Sequence, residues 1–297
     1  MVNDIATKTG DLPETWQRLG FRPGKTLRCF GMRRSGNHAI LNWLQRNAPD
    51  GHALFLNNCR RGKDPLTSFA TLEFDTERAP HRAAQKDLAA ACAGMRDGAM
   101  LLFSYEDCTA AGFSIDRPVS GPFDETLIDA DLYIYRGFLN WIASLAKKLS
   151  LNPTLGAAQR GETLLRSITL YTELLQQVQV AQELGIVPVC YDDWTGSETY
   201  RAGLLKTLGL PLRDNSLGQV QPYGGGSSFQ KETEAPDDLQ TGRRWLQMAS
   251  DPLYQGVLHV AARDVALIEA LEALFPADAE VLAAIAALHP IPQEVFQ

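Results

Sequence analysis

The sequence predicts an α/β fold of three layers: a parallel sheet with helices on both faces, followed by further helices toward the C-terminal end. Short apolar runs recur along the chain, segments of helical periodicity separate them, and the first run turns through a brief polar loop straight into a helix. At 297 residues the chain is long enough to bury a large core as one α/β domain. Residues 1–25 read as an N-terminal arm with a short amphipathic turn near Trp16 and Leu19. Residues 26–297 read as a single domain, within which 238–289 form a helical C-terminal extension.

Strands are expected at 26–32, 52–57, 99–105, 131–136 and 186–192. Each is a run rich in apolar or aromatic residues, as in a sheet covered on both faces. Helices are expected at 37–47, 80–96, 138–149 and 162–184. In the last of these Leu164, Ile168, Tyr171, Leu175 and Val178 recur at helical spacing and define one apolar face. Gly185 stands where that helix should stop. Alternation of strand and helix implies parallel strands joined by right-handed crossovers. The stretch 214–237 breaks the pattern. It carries Gly224-Gly225-Gly226-Ser227-Ser228 between Pro222 and Pro236 and reads as a long loop. Ala/Leu-rich segments at 265–274 and 281–288 return to helix.

Net charge is −7, which argues against a nucleic-acid binder. Basic residues nonetheless cluster at Arg33-Arg34, at Arg60-Arg61 with Lys63, and at Arg243-Arg244. An acidic chain with basic pockets suits a small polyanionic ligand better than a polymer. The five cysteines follow no metal-ligand or redox spacing, and Cys29 and Cys190 fall inside apolar runs as small hydrophobes. No apolar segment approaches the ~20 residues of a membrane span, and Met1 to Gly10 has no signal-like run. A reducing, cytoplasmic setting is the expectation.

The first strand leads into Arg33-Arg34-Ser35-Gly36-Asn37-His38, after which Ile40, Leu41 and Leu44 recur at helical spacing. A strand that turns tightly into a helix directs backbone N–H groups and the positive end of the helix dipole at one point. Two arginines at that turn make it a receptor for phosphate or a related oxyanion. Gly31 and Gly36 have the spacing of the first half of a Walker A loop. Asn37 and His38 stand where that loop needs Lys and Ser/Thr, so it is poorly built for a magnesium-bound nucleoside triphosphate.

The loop resembles the 5′-phosphosulfate loop of the sulfotransferases that use 3′-phosphoadenylyl sulfate (PAPS), a family with a P-loop NTPase-like fold. Arg34-Ser35-Gly36 matches the start of that family's Lys/Arg-Ser-Gly-Thr-Thr type sequence, and Asn37-His38 departs from its end. Arg136 ends a predicted strand, and Ser144 lies eight residues on in the next helix. Both have the spacing of the family's Arg and Ser that hold the 3′-phosphate, although Gly137-Phe138 replaces the usual Asp-Pro. Cys190-Tyr191-Asp192-Asp193 is similar to the family's later strand end, which implies Tyr191 near the adenine or the 3′-phosphate. Gly226, Ser227 and Ser228 correspond to a late loop that folds over the nucleotide, with Lys231 or Arg243 for its charge.

The resemblance implies in-line, metal-independent transfer of a sulfuryl group from PAPS to an acceptor hydroxyl or amine, on a small molecule or a glycan. Arg33, Ser35, Gly36 and Asn37 would hold the 5′ end of the nucleotide, and Arg34 would stabilise the leaving oxygen. Glu106, just past the third expected strand, is the first candidate for the base, and His38 is the second. A P-loop nucleotide or small-molecule kinase and a noncatalytic nucleotide-binding protein are the alternatives. The acceptor itself has no recognisable signature.

Overall fold

The computed structural model describes residues 13–111, 113, 114, 116–218 and 243–288. The chain enters through helix α1 (Glu14–Leu19), strand β1 (Lys25–Gly31), α2 (Asn37–Arg46), β2 (Ala53–Asn57) and the short α3 (Pro65–Ser68). A hairpin, β3 (Thr71–Phe74) and β4 (Glu77–Ala79), precedes two single turns, α4 (His81–Ala84) and α5 (Leu88–Ala91). Then come β5 (Met100–Glu106), β6 (Ala130–Tyr135), α6 (Phe138–Ser150), α7 (Ala157–Gln179), α8 (Ala181–Leu184), β7 (Ile186–Cys190), α9 (Tyr191–Gly196) and α10 (Glu198–Leu208). The C-terminal helices are α11 (Arg244–Gln247), α12 (Pro252–Ala261), α13 (Val265–Leu274) and α14 (Pro276–Leu288).

The described strands form one sheet in the order β4-β3-β2-β5-β1-β6-β7. The five strands from β2 to β7 are mutually parallel, as expected. Side chains alternate between the two faces, as pleating demands. Leu27, Cys29, Phe55, Leu102, Leu132 and Ile134 pack toward α2, α9 and α10. Phe30, Leu54, Leu56, Leu101, Phe103 and Tyr133 pack toward α6, α7 and the C-terminal helices. Trp16, Leu19 and Phe21 of the N-terminal segment join that second core, as do Leu258, Leu267, Leu271 and Leu282 of α12 to α14. All five cysteines are buried and free. Among the described residues no helix is long and apolar enough to cross a membrane.

Some expected elements differ. The helix expected over 80–96 is broken into α4 and α5, because Asp87 leaves helical geometry and caps the second turn through the Ala90 N–H. The hairpin β3–β4, antiparallel at the sheet edge, was absent from the sequence reading. Its turn residues Asp75 and Thr76 both have positive φ, the two-residue geometry of a tight hairpin, without the glycine that usually announces it. The strand expected over 186–192 stops at Cys190, so Tyr191 opens a helix rather than ending a strand. The helix expected over 162–184 starts earlier, at Ala157, and is interrupted at Val180. Gly185 ends the last turn in the left-handed conformation.

Candidate anion site at the carboxyl end of the sheet

Register brings the site together. Gly31, the last residue of β1, pairs with Glu106 on β5 and with Ile134 on β6, so Glu106 and Arg136 flank the loop that follows β1. The carboxyl ends of parallel strands are where such sheets bind ligands. Ser35 N–H closes a turn on Met32 O at 3.1 Å. Arg33 is anchored rather than directed inward. Its N–H donates to Asp107 at 2.9 Å, its guanidinium pairs with the same carboxylate, and its carbonyl accepts from Trp141 Nε1 at 3.0 Å. Arg34 holds a left-handed φ of 72°, uncommon for a residue with a side chain.

Gly36 is required twice over. Its φ is 92°, and a Cβ there would lie 2.0 Å from the Tyr191 ring. Helix α2 therefore begins with no capping side chain, and its first-turn N–H groups face the loop. The Ser35 hydroxyl is wholly buried and meets no hydrogen-bonding partner among the described residues. The Asn37 Oδ1 is likewise buried and unsatisfied, while its amide donates to Met32 O at 3.2 Å. A buried hydroxyl in this state asks for an explanation, and a bound oxyanion that accepts from Ser35 supplies one.

Three arginines converge behind the loop. Arg136 follows β6 and is 1% exposed. Its guanidinium lies 5.0 Å from the centre of the Tyr191 ring and 3.8 Å from Asp192. Arg244, from α11, donates to the Ser144 hydroxyl at 3.2 Å, and Ser144 donates to Asn140 O within its own helix at 2.8 Å. Burial lowers the pKa of Arg34, and Arg136 lowers it further. Burial first, then Arg136 and Arg34, bring Arg244 down to about 10. The repulsion that Arg136 exerts on Arg34 and Arg244 is a standing cost that an anion would relieve.

The two candidate bases both lie close enough to Arg34 to feel its charge. Burial raises the pKa of Glu106, and Asp107 adds to it; Arg33, Arg34 and a hydrogen bond from Asn37 oppose the shift. Burial lowers the pKa of His38, helped by Arg34 and Arg78. Both shifts favour the neutral form. For His38 that is the form able to accept a proton. Beside Glu106 opens a cavity of about 660 Å³ whose lining includes Arg60, Arg61, His81 and Arg82.

Arg34, Ser35, Gly36, Asn37, His38, Glu106, Arg136 and Tyr191 thus surround one place, and Ser144 reaches it through Arg244. Lys231 or Arg243 is the late cation that the resemblance leads one to expect. Arg243 is exposed, and its neighbour Arg244 is the buried one. The Arg243-Arg244 pair was visible in sequence, but only tertiary packing decides which member turns inward. Gly226, Ser227, Ser228 and Lys231 lie outside the described residues. Among the described residues no group of His, Cys, Asp and Glu has the makings of a metal site.

No protein-family profile matches the sequence, and no curated protein gives a significant match. Among solved structures, the chain has a distant likeness to the crystal structure of mouse sulfotransferase SULT7A1 complexed with PAP. Identity is 11%, 92% of each chain is covered, and the TM-score is 0.41.

Proposed function

We propose that the chain is a sulfotransferase that moves a sulfuryl group from PAPS to an acceptor hydroxyl or amine. The observation that carries this reading is the grouping of Arg34, Arg136 and Arg244 beside the uncapped N-terminus of α2, with Glu106 and His38 close enough to Arg34 to feel its charge. A ligand with anionic groups at two separated points and a reacting centre at one end matches that layout. When bound, PAPS supplies the sulfuryl group: the acceptor atom forms a bond to sulfur as the bond from sulfur to the 5′-phosphate oxygen breaks, leaving 3′,5′-bisphosphoadenosine.

The protein residues then have distinct tasks. The first-turn N–H groups of α2 and the Ser35 hydroxyl hold the 5′ end. Arg136 and Arg244 hold the 3′-phosphate, with Ser144 orienting Arg244. Tyr191, packed on Gly36 and beneath Arg136, supplies an apolar face to the nucleotide. Arg34 stabilises charge on the leaving oxygen as a fixed cation, since arginine does not give up its proton at neutral pH. Glu106 takes the acceptor proton, and its partial desolvation raises its basicity for that step. Asn37 and His38, in place of the Walker lysine and hydroxyl, argue against the kinase alternative.

The test has two parts. Calorimetry without magnesium should show 3′,5′-bisphosphoadenosine binding more tightly than ADP; a magnesium-dependent preference for ATP would overturn the reading. Transfer from radiolabelled PAPS should fall ~10²–10⁴-fold in Glu106→Gln, the usual worth of a general base, with nucleotide affinity kept. Loss in His38→Ala with full activity in Glu106→Gln would exchange their roles.

A further inference from the structure

We propose that the cavity beside Glu106 is the acceptor site, and that it selects hydroxylated acceptors already carrying a carboxylate, phosphate or sulfate group. The acceptor role rests on the transferase reading; the charge selectivity does not. At about 660 Å³ the cavity falls within the ~300–1,000 Å³ usual for ligand pockets. Arg60 and Arg61 reach it from the turn after β2, and His81 and Arg82 from α4. Three arginines and one carboxylate, that of Glu106, therefore belong to the lining of one chamber. Arg60, Arg61 and Arg82 are solvent-exposed.

The chamber is also a held one. Arg61 lies close enough to the Cys108 thiol to lower its pKa against the effect of burial, which brings the turn after β2 beside the turn after β5. Arg78, on β4, lies close enough to His38 to act on its charge, so positive potential extends from the chamber to the reaction centre. A neutral, flat acceptor would bury guanidinium groups and leave them without a counter-charge, which is costly. An anionic group takes them up in short, charge-assisted, often bidentate bonds. One substrate can then place its anion among the arginines and a hydroxyl at Glu106, where a proton acceptor is in position. Like-charge repulsion between the acceptor's anion and the Glu106 carboxylate also keeps that end away from Glu106, which fixes the orientation.

The experiment is a calorimetric titration of the full-length protein, with and without saturating 3′,5′-bisphosphoadenosine. The probes are glucose, glucuronate and glucose phosphate. With nucleotide bound, both anions should bind about tenfold or more tightly than glucose. A triple variant, Arg60→Gln, Arg61→Gln and Arg82→Gln, should lose that preference and keep its affinity for the nucleotide. These are surface side chains, and circular dichroism should show the fold intact. Equal binding of glucose and the anions would overturn the proposal and leave the nucleotide reading standing. So would a preference that survives in the triple variant, or one that vanishes when nucleotide fills its own site. An anion preference lost in the variant, in a protein that binds no nucleotide at all, would sink the transferase reading while supporting the anionic ligand class of the chamber.

Discussion

Two charge clusters, one around Arg28 within β1 and one around Arg34, Arg136 and Arg244 at the carboxyl end of the sheet, are built in opposite ways. Arg28, inside β1, makes a two-pronged pair with Asp131 at 2.7 Å on each side, reaches Glu125 at 2.5 Å and donates to Ser120 at 2.9 Å. Burial alone would pull its pKa down, but the two carboxylates overcome it and the pKa is raised. Burial lowers the pKa of Arg34 and Arg244 too, and here the neighbours do not reverse it: Arg136 lowers both, and Arg34 adds to the effect on Arg244. Same residue type and similar burial thus give two outcomes, decided by the sign of the neighbours. The first cluster carries its own counter-charges and holds the sheet to the 120–131 segment. The second concentrates positive charge at the strand ends, where a ligand can supply what the protein leaves short.

The largest effect that would break this contrast is on stability. Arg28→Ala should destabilise the fold by about 3–5 kcal/mol, because Asp131 and Glu125 are left facing each other without their cation. Urea unfolding measures it. Arg28→Lys should recover part of the loss, since it restores the charge without the planar fork. If Arg28→Ala unfolds at the wild-type midpoint, the cluster is not structural. Arg34→Ala should do the reverse. Turnover should fall by about 10²–10³, or roughly 3–4 kcal/mol of lost charge stabilisation in the transition state. The unfolding midpoint should stay or rise, because one of three repelling charges is gone. A variant that loses stability in proportion to activity would place Arg34 with Arg28.

A smaller effect separates the two ends of the nucleotide. Arg136→Ala should bring the affinities for 3′,5′-bisphosphoadenosine and AMP together, costing the former about 1.5–3 kcal/mol, the worth of a charged hydrogen bond. A Ser144→Ala variant should lose less, since its hydroxyl proton is already given to Asn140. Equal losses in the two would mean that Ser144 turns to meet the phosphate itself.

Much of this geometry was legible in the chain. An apolar run, a short basic turn with Gly36, and Ile40, Leu41 and Leu44 at helical spacing fix β1, the loop and α2 from local signals alone. The parallel sheet follows from the alternation of elements. Legibility ends where tertiary packing decides. Residues 80–96 are rich in helix formers, and one capping aspartate splits them. The β3–β4 hairpin turns through Asp75-Thr76, a weak turn signal. Nothing near Arg243-Arg244 tells which arginine faces in; Asn140, about a hundred residues earlier, sets α11 by accepting the Arg244 N–H at 3.0 Å. The acidic side of the Arg28 cluster is hidden for the same reason, since Glu125 and Asp131 lie far from it in sequence.

The smallest prediction tests how the C-terminal helices sense the second cluster. Asp278, at the start of α14, accepts the Leu139 N–H at 3.0 Å and so caps α6 beside Arg136. Burial raises its pKa to about 6; the backbone bonds of Leu139 and Phe138 and the charge of Arg136 pull it down, and Asp192 pushes it up. A carboxyl whose pKa is higher folded than unfolded binds its proton more readily in the folded state. Its ionisation therefore opposes folding: the penalty is absent below the unfolded value near 4, grows as pH rises, and is complete above about 6. Asp278→Asn keeps an acceptor for the Leu139 N–H and removes the charge. Relative to wild type, the variant should gain stability between pH 4 and 6 and no more beyond it, by of order 1–2 kcal/mol once solvent screening is allowed for. Saturating 3′,5′-bisphosphoadenosine should shift that window upward, because an anion on Arg136 weakens a nearby cation that favours the carboxylate. Urea unfolding across this range, with and without nucleotide, reads both. A window that ignores the nucleotide would detach Asp278 from the arginine cluster and leave it a simple helix cap.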